Sequence, residues 1–282
     1  MMQALVIATV PLFGFTRLAY GRAHEGLDDE HFDQLLNAIM AKDGGDAVGT
    51  QILGMRIFGG HSDKLPISEP MKATCRTFLS RVQFAAGTKL DHMIREIVEA
   101  AFDKPEYEGQ SRAFSARILA AIGDWNIHAW DVVDVITALT KAFPVVVLDT
   151  FVEEAVGIGP GRTVFQSIDC NRACPLALVP DDVWMAWAAK RPDTRFELLA
   201  RVMRFSNPSA DDHAKGWSPP AMTLIEVAPD PVKVLDTFFR RFTPSGWSGS
   251  LADTLATRLP LIEILKQQIE LATRGLNEGQ FA

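Results

Sequence analysis

Two cysteines, Cys170 and Cys174, have a spacing at which neighbouring thiolates can bind one metal ion. A structural zinc site needs two further ligands, but the next histidine along the chain is His213, and the remaining cysteine, Cys75, stands alone. We therefore predict that these thiols bind neither a metal nor a cofactor. Three cysteines in a chain of 282 residues also argue against a disulfide framework and indicate a reducing compartment.

A glycine-rich segment, Gly157-Ile-Gly-Pro-Gly161, is the second candidate for chemistry, because the backbone amides of such loops can bind phosphate groups. A dinucleotide-binding loop must join a strand to a helix, whereas the segment before Gly157 has the pattern of a helix. The Walker sequence, Gly-x-x-x-x-Gly-Lys-Ser/Thr, does not occur in the chain. These glycines therefore indicate a loop that follows a helix.

His128 and Asp131 lie three residues apart, a spacing that could pair an imidazole with a carboxylate for acid–base catalysis. Helix capping and a carboxylate in the first helical turn explain the same spacing. The chain contains neither a Gly-x-Ser-x-Gly elbow nor a His-Glu-x-x-His zinc motif. We predict no catalytic residue. The alternative is an enzyme whose site lies in the insertion at residues 157–180 or in a groove that only the fold assembles.

Aromatic and basic side chains offer a different kind of site, because tryptophan and arginine dominate the energetics of many protein interfaces. Trp184 and Trp187 lie three residues apart on one predicted helix, and Arg240 and Arg241 lie on the polar side of another. These four residues form the predicted interaction surface. Trp184 is the tryptophan that we expect to be exposed, while core packing is the expected role of most of the others.

An internal repeat indicates the structural elements that carry these residues. The segments Pro144-Val-Val-Val-Leu-Asp-Thr-Phe151 and Pro231-Val-Lys-Val-Leu-Asp-Thr-Phe238 match at seven of eight positions, 87 residues apart. The first segment alone could be a buried strand. In the second, Lys233 replaces the central valine, and the apolar residues recur at the three- and four-residue spacing of a helix. Both copies are therefore predicted as amphipathic helices that begin at the shared proline, whose fixed φ suits a first turn.

Each copy follows another predicted helix, so the repeated unit is a helical hairpin. Residues 130–142 precede Pro144, and residues 219–228 precede Pro231. A third hairpin, residues 182–190 and 194–204, lies between them and turns at Pro192. These prolines are 48 and 39 residues apart, which is close to the roughly 40 to 47 residues of HEAT and armadillo repeats.

The same helical periodicity extends over the rest of the chain. Helices are predicted over residues 32–41, 47–58, 71–84, 90–102 and 111–122, and a final pair over residues 248–258 and 261–274. The predicted fold class is all-α, with helical hairpin repeats stacked into a solenoid. We expect an N-terminal helical region, residues 1–124, and a C-terminal helical-repeat region, residues 125–282, within one continuous array.

The charge distribution bears on the class of partner. The net charge is −7 at pH 7, and no basic stripe stands out, so the sequence does not favour nucleic-acid binding. Nucleic-acid binding along the array stays an alternative, and it would require scattered arginines to converge on one surface, namely Arg162, Arg172, Arg191, Arg195, Arg201, Arg204, Arg240 and Arg241.

The apolar residues 4–15 raise the question of a targeting segment. No basic residue precedes them, Pro11 interrupts them, and the run is too short to span a bilayer. We expect a cytoplasmic protein without a membrane segment. A signal peptide over residues 1–20 is the alternative.

Several segments resemble the carboxyl-terminal helical arrays of large, poorly characterised bacterial proteins: Trp130-Asp131, Pro144 to Phe151, Pro175 to Asp182, Trp247 to Ser250 and Arg258 to Leu261. The resemblance covers residues from about 125 to 270. Some proteins of that build are multidomain NTPase-based defence or signalling proteins, in which the helical array recognises a partner and another domain acts. This chain has no NTPase core, so the resemblance supports only the repeat array. We expect a non-enzymatic module whose concave face binds a protein.

Overall fold

The computed structural model of the chain describes residues 27–59, 67–84, 93–124, 132–154, 175–203 and 219–242, together with Ile262, Lys266 and Glu270. Every regular element in these segments is helical, and no strand occurs among them, so the predicted all-α class is confirmed for this part of the chain. None of the helices described here combines the length and the apolar character needed to cross a bilayer.

The described segments contain the following helices. The first six are α1 (Asp29–Met40), α2 (Gly45–Gly59), α3 (Glu69–Arg81), α4 (Met93–Ala101), α5 (Glu108–Gly123) and α6 (Val133–Ala142). They are followed by α7 (Pro144–Val147), which continues as a π-helix over Leu148–Glu154, and by α8 (Asp181–Ala189), α9 (Pro192–Val202), α10 (Pro219–Val227) and α11 (Pro231–Phe242). Short 3-10 helices cover Pro105–Tyr107 and Pro175–Leu178.

Local sequence explains where several helices begin. α7, α9 and α11 begin at Pro144, Pro192 and Pro231. Proline has no amide N–H, and a residue in the first turn of a helix does not need one. Side chains of Asp28 and Ser68 cap α1 and α3 by accepting amide hydrogen bonds from the first turn. Each helix predicted within the described residues is present, and every predicted end that falls within them is shifted by three residues or fewer; the start of 90–102, the start of 130–142 and the end of 194–204 lie outside them. The predicted final pair lies outside them, except that Ile262, Lys266 and Glu270 are helical.

The chain folds into two compact units, Met1–Thr150 and Phe151–Ala282. In the first unit, neighbouring helices pair as hairpins, α1 with α2, α3 with α4 and α6 with α7. Helices two apart also pack, which gives one row of α1, α3, α5 and α7 and a second row of α2, α4 and α6. The predicted junction after residue 124 is not tested by this division and stays a prediction.

The second unit repeats this pattern within itself. α8 pairs with α9 and α10 pairs with α11, while α9 packs on α11 and α8 packs on α10. A hairpin therefore contacts the next hairpin through both of its helices, and each interface is buried between equivalent elements.

Phenylalanine side chains pack together in the core of the first unit, close to the ends of several helices. The ring of Phe102, directly after α4, lies 6.1 Å from the ring of Phe114 on α5 and 6.4 Å from that of Phe143, between α6 and α7. Phe84, beyond the end of α3, lies 6.0 Å from Phe114. Tilted and edge-on pairs at these distances stabilise a core beyond the burial of their area.

Arg117 on α5 links this helix to the end of α3. Its guanidinium donates hydrogen bonds to the carbonyl oxygens of Ser80 at 2.9 Å and Val82 at 3.1 Å, and also to that of Leu79. These carbonyls end α3, where no further helical amide is available and where the helix dipole favours a cation. Burial lowers the pKa of Arg117, and the charge of Asp46 opposes that effect.

The two copies of the octapeptide bury the same positions. Val147, Leu148, Thr150 and Phe151 are buried in the first copy, and their equivalents Val234, Leu235, Thr237 and Phe238 are buried in the second. The single difference in sequence is also a difference in environment, because Val146 is fully buried and the side chain of Lys233 is 47% exposed. The residues Leu-Asp-Thr-Phe are π-helical in the first copy and α-helical in the second.

Leu235→Ala should destabilise the second unit by roughly 2 to 5 kcal/mol, because it removes a buried side chain from the interface of α11 and leaves a cavity. Val232→Ala on the same helix is the matched control, since Val232 is 53% exposed, and we expect a change within about 0.5 kcal/mol. Urea unfolding compares the two. An unchanged midpoint for Leu235→Ala would contradict the packing assigned to α11.

Candidate interaction surface

The residues considered for metal, phosphate and acid–base chemistry, Cys170, Cys174, the segment 157–161, His128 and Asp131, lie outside the described residues. The predictions made for them therefore stay predictions. Cys75 is described, and it is buried in α3. Burial raises the pKa of its thiol to about 12, so the nucleophilic thiolate is scarcely populated at neutral pH.

Trp184 and Trp187 lie on α8 and are buried, with exposed fractions of 2% and 1%. The expectation that Trp184 is exposed is therefore wrong. Its indole packs into the second unit, and its Nε1 donates a hydrogen bond to Oδ1 of Asp181 at 2.9 Å, which satisfies the polar edge of the ring. Neither tryptophan presents its side chain to a partner in this conformation.

Trp187 instead packs against a cluster of charged side chains. The guanidinium of Arg195 on α9 lies over its ring at 4.2 Å and donates to the carbonyl oxygen of Trp187 at 2.8 Å. Arg195 also donates to both carboxylate oxygens of Glu153, at 3.2 and 2.6 Å. Arg191 reaches the same carboxylate at 2.8 Å from the start of α9. One carboxylate thus holds two arginines, of which Arg195 is buried and Arg191 is exposed.

A second charged cluster joins α9 to α11. Glu197 accepts a hydrogen bond from Arg201 on its own helix at 2.5 Å, and Lys233 on α11 lies 2.8 Å from the other carboxylate oxygen. The ammonium of Lys233 also donates to the carbonyl oxygen of Asp193 at 3.2 Å. These contacts lower the pKa of Glu197, Lys233 first and Arg201 second, and Glu197 in turn raises the pKa of Lys233. Glu197 and Lys233 are therefore both charged at neutral pH.

Arg240 is the exposed member of the predicted surface. Its Nε donates to Oδ2 of Asp236, one turn earlier on α11, at 2.8 Å, and its side chain is 78% exposed. The backbone of Arg241 lies in α11, but its side chain is outside the described part of the structure. Arg240 is thus on the surface, whereas the two tryptophans of the predicted surface are buried.

Apart from the buried Arg195, the cations of these clusters are more exposed than the carboxylates that they contact. Exposed fractions of the side chains are 67% for Arg191 against 21% for Glu153, 42% for Arg201 and 47% for Lys233 against 23% for Glu197, and 78% for Arg240 against 52% for Asp236. The ion pairs of the first unit do not share this difference in exposure. In the pair of Lys72 and Glu69, the carboxylate is 58% exposed and the lysine only 20%. We call the outward side of α9 and α11, defined by Arg191, Arg201, Lys233 and Arg240, the basic face.

Glu197→Gln should weaken the second unit at neutral pH and make its stability less sensitive to acid. The hydrogen bonds from Lys233 and Arg201 hold the pKa of Glu197 below its ordinary value of 4.5, so folding favours the ionised form. That stabilisation is complete above the pKa of the unfolded chain and is lost as the pH falls through the lower pKa of the folded state.

Urea unfolding of wild type and variant over a series of pH values measures this effect. The difference in free energy of unfolding should be largest at neutral pH, shrink as the pH falls below about 4.5, and vanish once the carboxyl group is protonated in both states. The double variant Arg201→Gln/Lys233→Gln should show the same flattened acid limb, since the cations that lower the pKa are gone. A difference that stays constant with pH would contradict this assignment.

The first unit contains a surface cavity of about 430 Å³ between the carboxyl-terminal ends of α4 and α6. Among the described residues that line it, the charged groups already have partners: Asp103 lies 2.5 Å from Lys72, Lys104 lies 3.2 Å from Glu69, and Lys141 lies 3.9 Å from Glu99. Burial raises the pKa of Asp103, but the hydrogen bond and charge of Lys72 outweigh it, so the pKa lies below its ordinary value. Asp103 is thereby not prepared to act as a general acid near neutral pH.

Glu153, Glu197 and Lys233 were not predicted from the sequence as members of a site. One signal was present, since Glu197 and Arg201 have the four-residue spacing of a helical ion pair. The single difference between the octapeptides, at Lys233, was a second signal, because a lysine in an otherwise buried pattern must reach either solvent or a carboxylate.

No protein-family model matches this chain, and neither a curated protein nor a solved structure matches it.

Proposed function

We propose that this chain is a helical-repeat module of the HEAT and armadillo kind that binds a partner protein and catalyses no reaction itself. The observation that carries the proposal is the pairing of helices two apart within each unit, which lets each hairpin bury both of its helices against the next. Such an array offers a long side of parallel elements, which is the usual basis of partner binding in repeat proteins.

Polar links between helices two apart support the same repeat length. Their sequence separations are 41 residues for Thr74 and Asp33, 37 for Arg112 and Asp149, 42 for Arg195 and Glu153, and 40 for Lys233 and Asp193. Repeats of two helices have a period of roughly 40 to 47 residues. A link that recurs at nearly one period keeps successive hairpins in the same register, as a stacked array requires.

The resemblance to bacterial helical arrays suggests the context of this binding. We propose that the chain is the recognition part of a multidomain signalling or defence system, in which another domain acts on what this array has bound. The ion pairs of the second unit favour a protein partner over a nucleic acid, because carboxylates accompany every cation of the basic face. The phosphates of a nucleic acid would lie close to these carboxylates and would be repelled by them.

Affinity purification of the tagged chain from its native host, after crosslinking and nuclease treatment, tests the proposal. We expect a protein partner in stoichiometric amount that survives the nuclease. An equally tagged, unrelated helical protein of similar net charge identifies the proteins that bind nonspecifically. Recovery of the chain alone despite crosslinking would contradict a binding module, and loss of all bound material on nuclease treatment would favour nucleic-acid binding instead.

A further inference from the structure

Four residues of identical sequence adopt two helical forms in this chain. Leu148-Asp-Thr-Phe151 belongs to the π-helix Leu148–Glu154, whereas Leu235-Asp-Thr-Phe238 belongs to the α-helix α11. We propose that the π-helical segment is a conformational switch, which changes to an α-helix when the ion pairs that hold Asp149 and Glu153 are released. This inference does not depend on the proposed function.

The second copy shows that the shared residues are compatible with an α-helix. π-helices are rare, and most are short interruptions of α-helices, often at functional sites. A segment of seven π-helical residues therefore needs interactions that offset its disadvantage relative to the α form. The one difference between the octapeptides, Val146 against Lys233, precedes the π-helical residues and lies in an α-helix in both copies. The decisive interactions therefore involve residues outside the octapeptide.

The residue four positions after the shared aspartate has the opposite charge in the two copies. In the second copy it is Arg240, whose Nε donates to Oδ2 of Asp236 at 2.8 Å. An ion pair at this four-residue spacing stabilises an α-helix. In the first copy the residue is Glu153, and in an α-helix two carboxylates at the same spacing would repel each other. The α form is thus favoured in the second copy and opposed in the first.

Arginines from other helices hold both carboxylates of the first copy. Arg112 on α5 donates to Oδ2 of Asp149 at 2.8 Å, and Arg195 on α9 donates to both carboxylate oxygens of Glu153, at 3.2 and 2.6 Å. Asp149 is accordingly 22% exposed, against 52% for its equivalent Asp236. These contacts depend on the direction in which each carboxylate leaves the helix, and that direction changes with helical twist. The two ion pairs therefore stabilise the π form.

A change between the two forms would turn the chain that follows with respect to the chain that precedes. Hydrogen bonds join residues five apart in a π-helix and four apart in an α-helix, so the rotation per residue differs. The division between the two compact units follows Thr150 and thus lies within the π-helix. A local change in twist at this place would alter the orientation of one unit relative to the other.

Through-hydrogen-bond NMR couplings of the isotopically labelled full chain test the proposal, because they identify the carbonyl group that accepts from a given amide. In the π-helix the amide of Glu153 donates to the carbonyl oxygen of Leu148, and in an α-helix it would donate to that of Asp149. The amide of Arg240 and the carbonyl group of Asp236, in α11, give a reference coupling in the same spectrum. We expect the wild type to show the coupling to Leu148.

Two variants each remove one carboxylate and weaken one ion pair. Glu153→Gln and Asp149→Asn both abolish the repulsion that opposes the α form. We therefore expect the coupling of the amide at position 153 to move from Leu148 to position 149. The matched control, Glu154→Gln, removes the same charge from an exposed side chain of the same segment and should keep the coupling to Leu148. Residual dipolar couplings of each unit should report a changed relative orientation in the two variants and none in the control.

Three outcomes would overturn the inference. They are a coupling to Leu148 that persists in both variants while the reference coupling is visible, the same change in Glu154→Gln, and an α-helical coupling in the wild type. An unchanged orientation of the units after the coupling has moved would contradict the effect assigned to the twist. Circular dichroism checks that each variant is folded. If Glu153→Gln is unfolded, because it removes the partner of the buried Arg195, Asp149→Asn decides the question.

Discussion

Val146→Lys is expected to unfold the first unit at neutral pH or to lower its stability by more than about 4 kcal/mol. Val146 is fully buried in α7, so the substitution places an ammonium group in an apolar environment. The same exchange already exists in the second copy of the octapeptide, where Lys233 is tolerated because its ammonium reaches Glu197 and solvent. The expected effect therefore arises from the environment of the position and not from the helix propensity of lysine.

The reciprocal exchange, Lys233→Val, is the matched control. It creates in the second copy the octapeptide of the first, and it removes an exposed side chain with its contact to Glu197. We expect a loss within about 1 kcal/mol, as for other partly exposed ion pairs, which is well below the loss expected for Val146→Lys. Val146→Ile, which keeps the position apolar, separates the effect of charge from that of size. Similar losses for Val146→Ile and Val146→Lys would show that volume, and not charge, limits this position.

Arg195→Ala is expected to destabilise the second unit by about 3 to 5 kcal/mol, the cost of breaking a buried ion pair by removing one partner. The variant removes the bidentate donor of the Glu153 carboxylate, the guanidinium hydrogen bond to the carbonyl oxygen of Trp187, and the cation that covers one face of the indole. Urea unfolding followed by tryptophan fluorescence measures the loss, because the ring of Trp187 lies directly under the guanidinium.

Arg191→Ala provides an internal control, because Arg191 contacts the same carboxylate from an exposed position. We expect a change within about 1 kcal/mol, as for other surface ion pairs. Arg195→Lys should fall between the two, since lysine keeps the charge but cannot donate to both oxygens and stack on the ring together. Equal losses for Arg191→Ala and Arg195→Ala would show that burial does not determine the strength of this cluster.

The helices of this protein could be predicted from sequence because the signals that form them are local. Prolines open α7, α9 and α11, and apolar residues at three- and four-residue spacing mark the buried side of each helix. The comparison of the two octapeptides removed the ambiguity of the valine run, because Lys233 is incompatible with a fully buried strand. The helix ends differ from the prediction by a few residues, and Pro192, for example, opens α9 two residues before the predicted start.

The candidate surface could be predicted only in part, because exposure depends on what packs against a side chain. Trp184 has the same sequence signal whether it lies at a surface or in a core, and the structure buries it against its own unit. Arg240 lies on the polar side of α11 as predicted, and it is exposed. The carboxylates that orient the basic face, Glu153 and Glu197, were missed because their partners lie up to 42 residues away in the chain.

The sequence by itself determined that the described segments are helical, that successive helices form hairpins, and which sides of α7, α9 and α11 are buried, because these follow from interactions within a few residues. The tertiary structure decided that Leu-Asp-Thr-Phe is π-helical once and α-helical once, that Arg195 is buried while Arg191 is exposed, and that the cations of the basic face project outward. These outcomes depend on which helices pack against each other. That packing joins residues about one repeat length apart in the chain, so local sequence does not determine it.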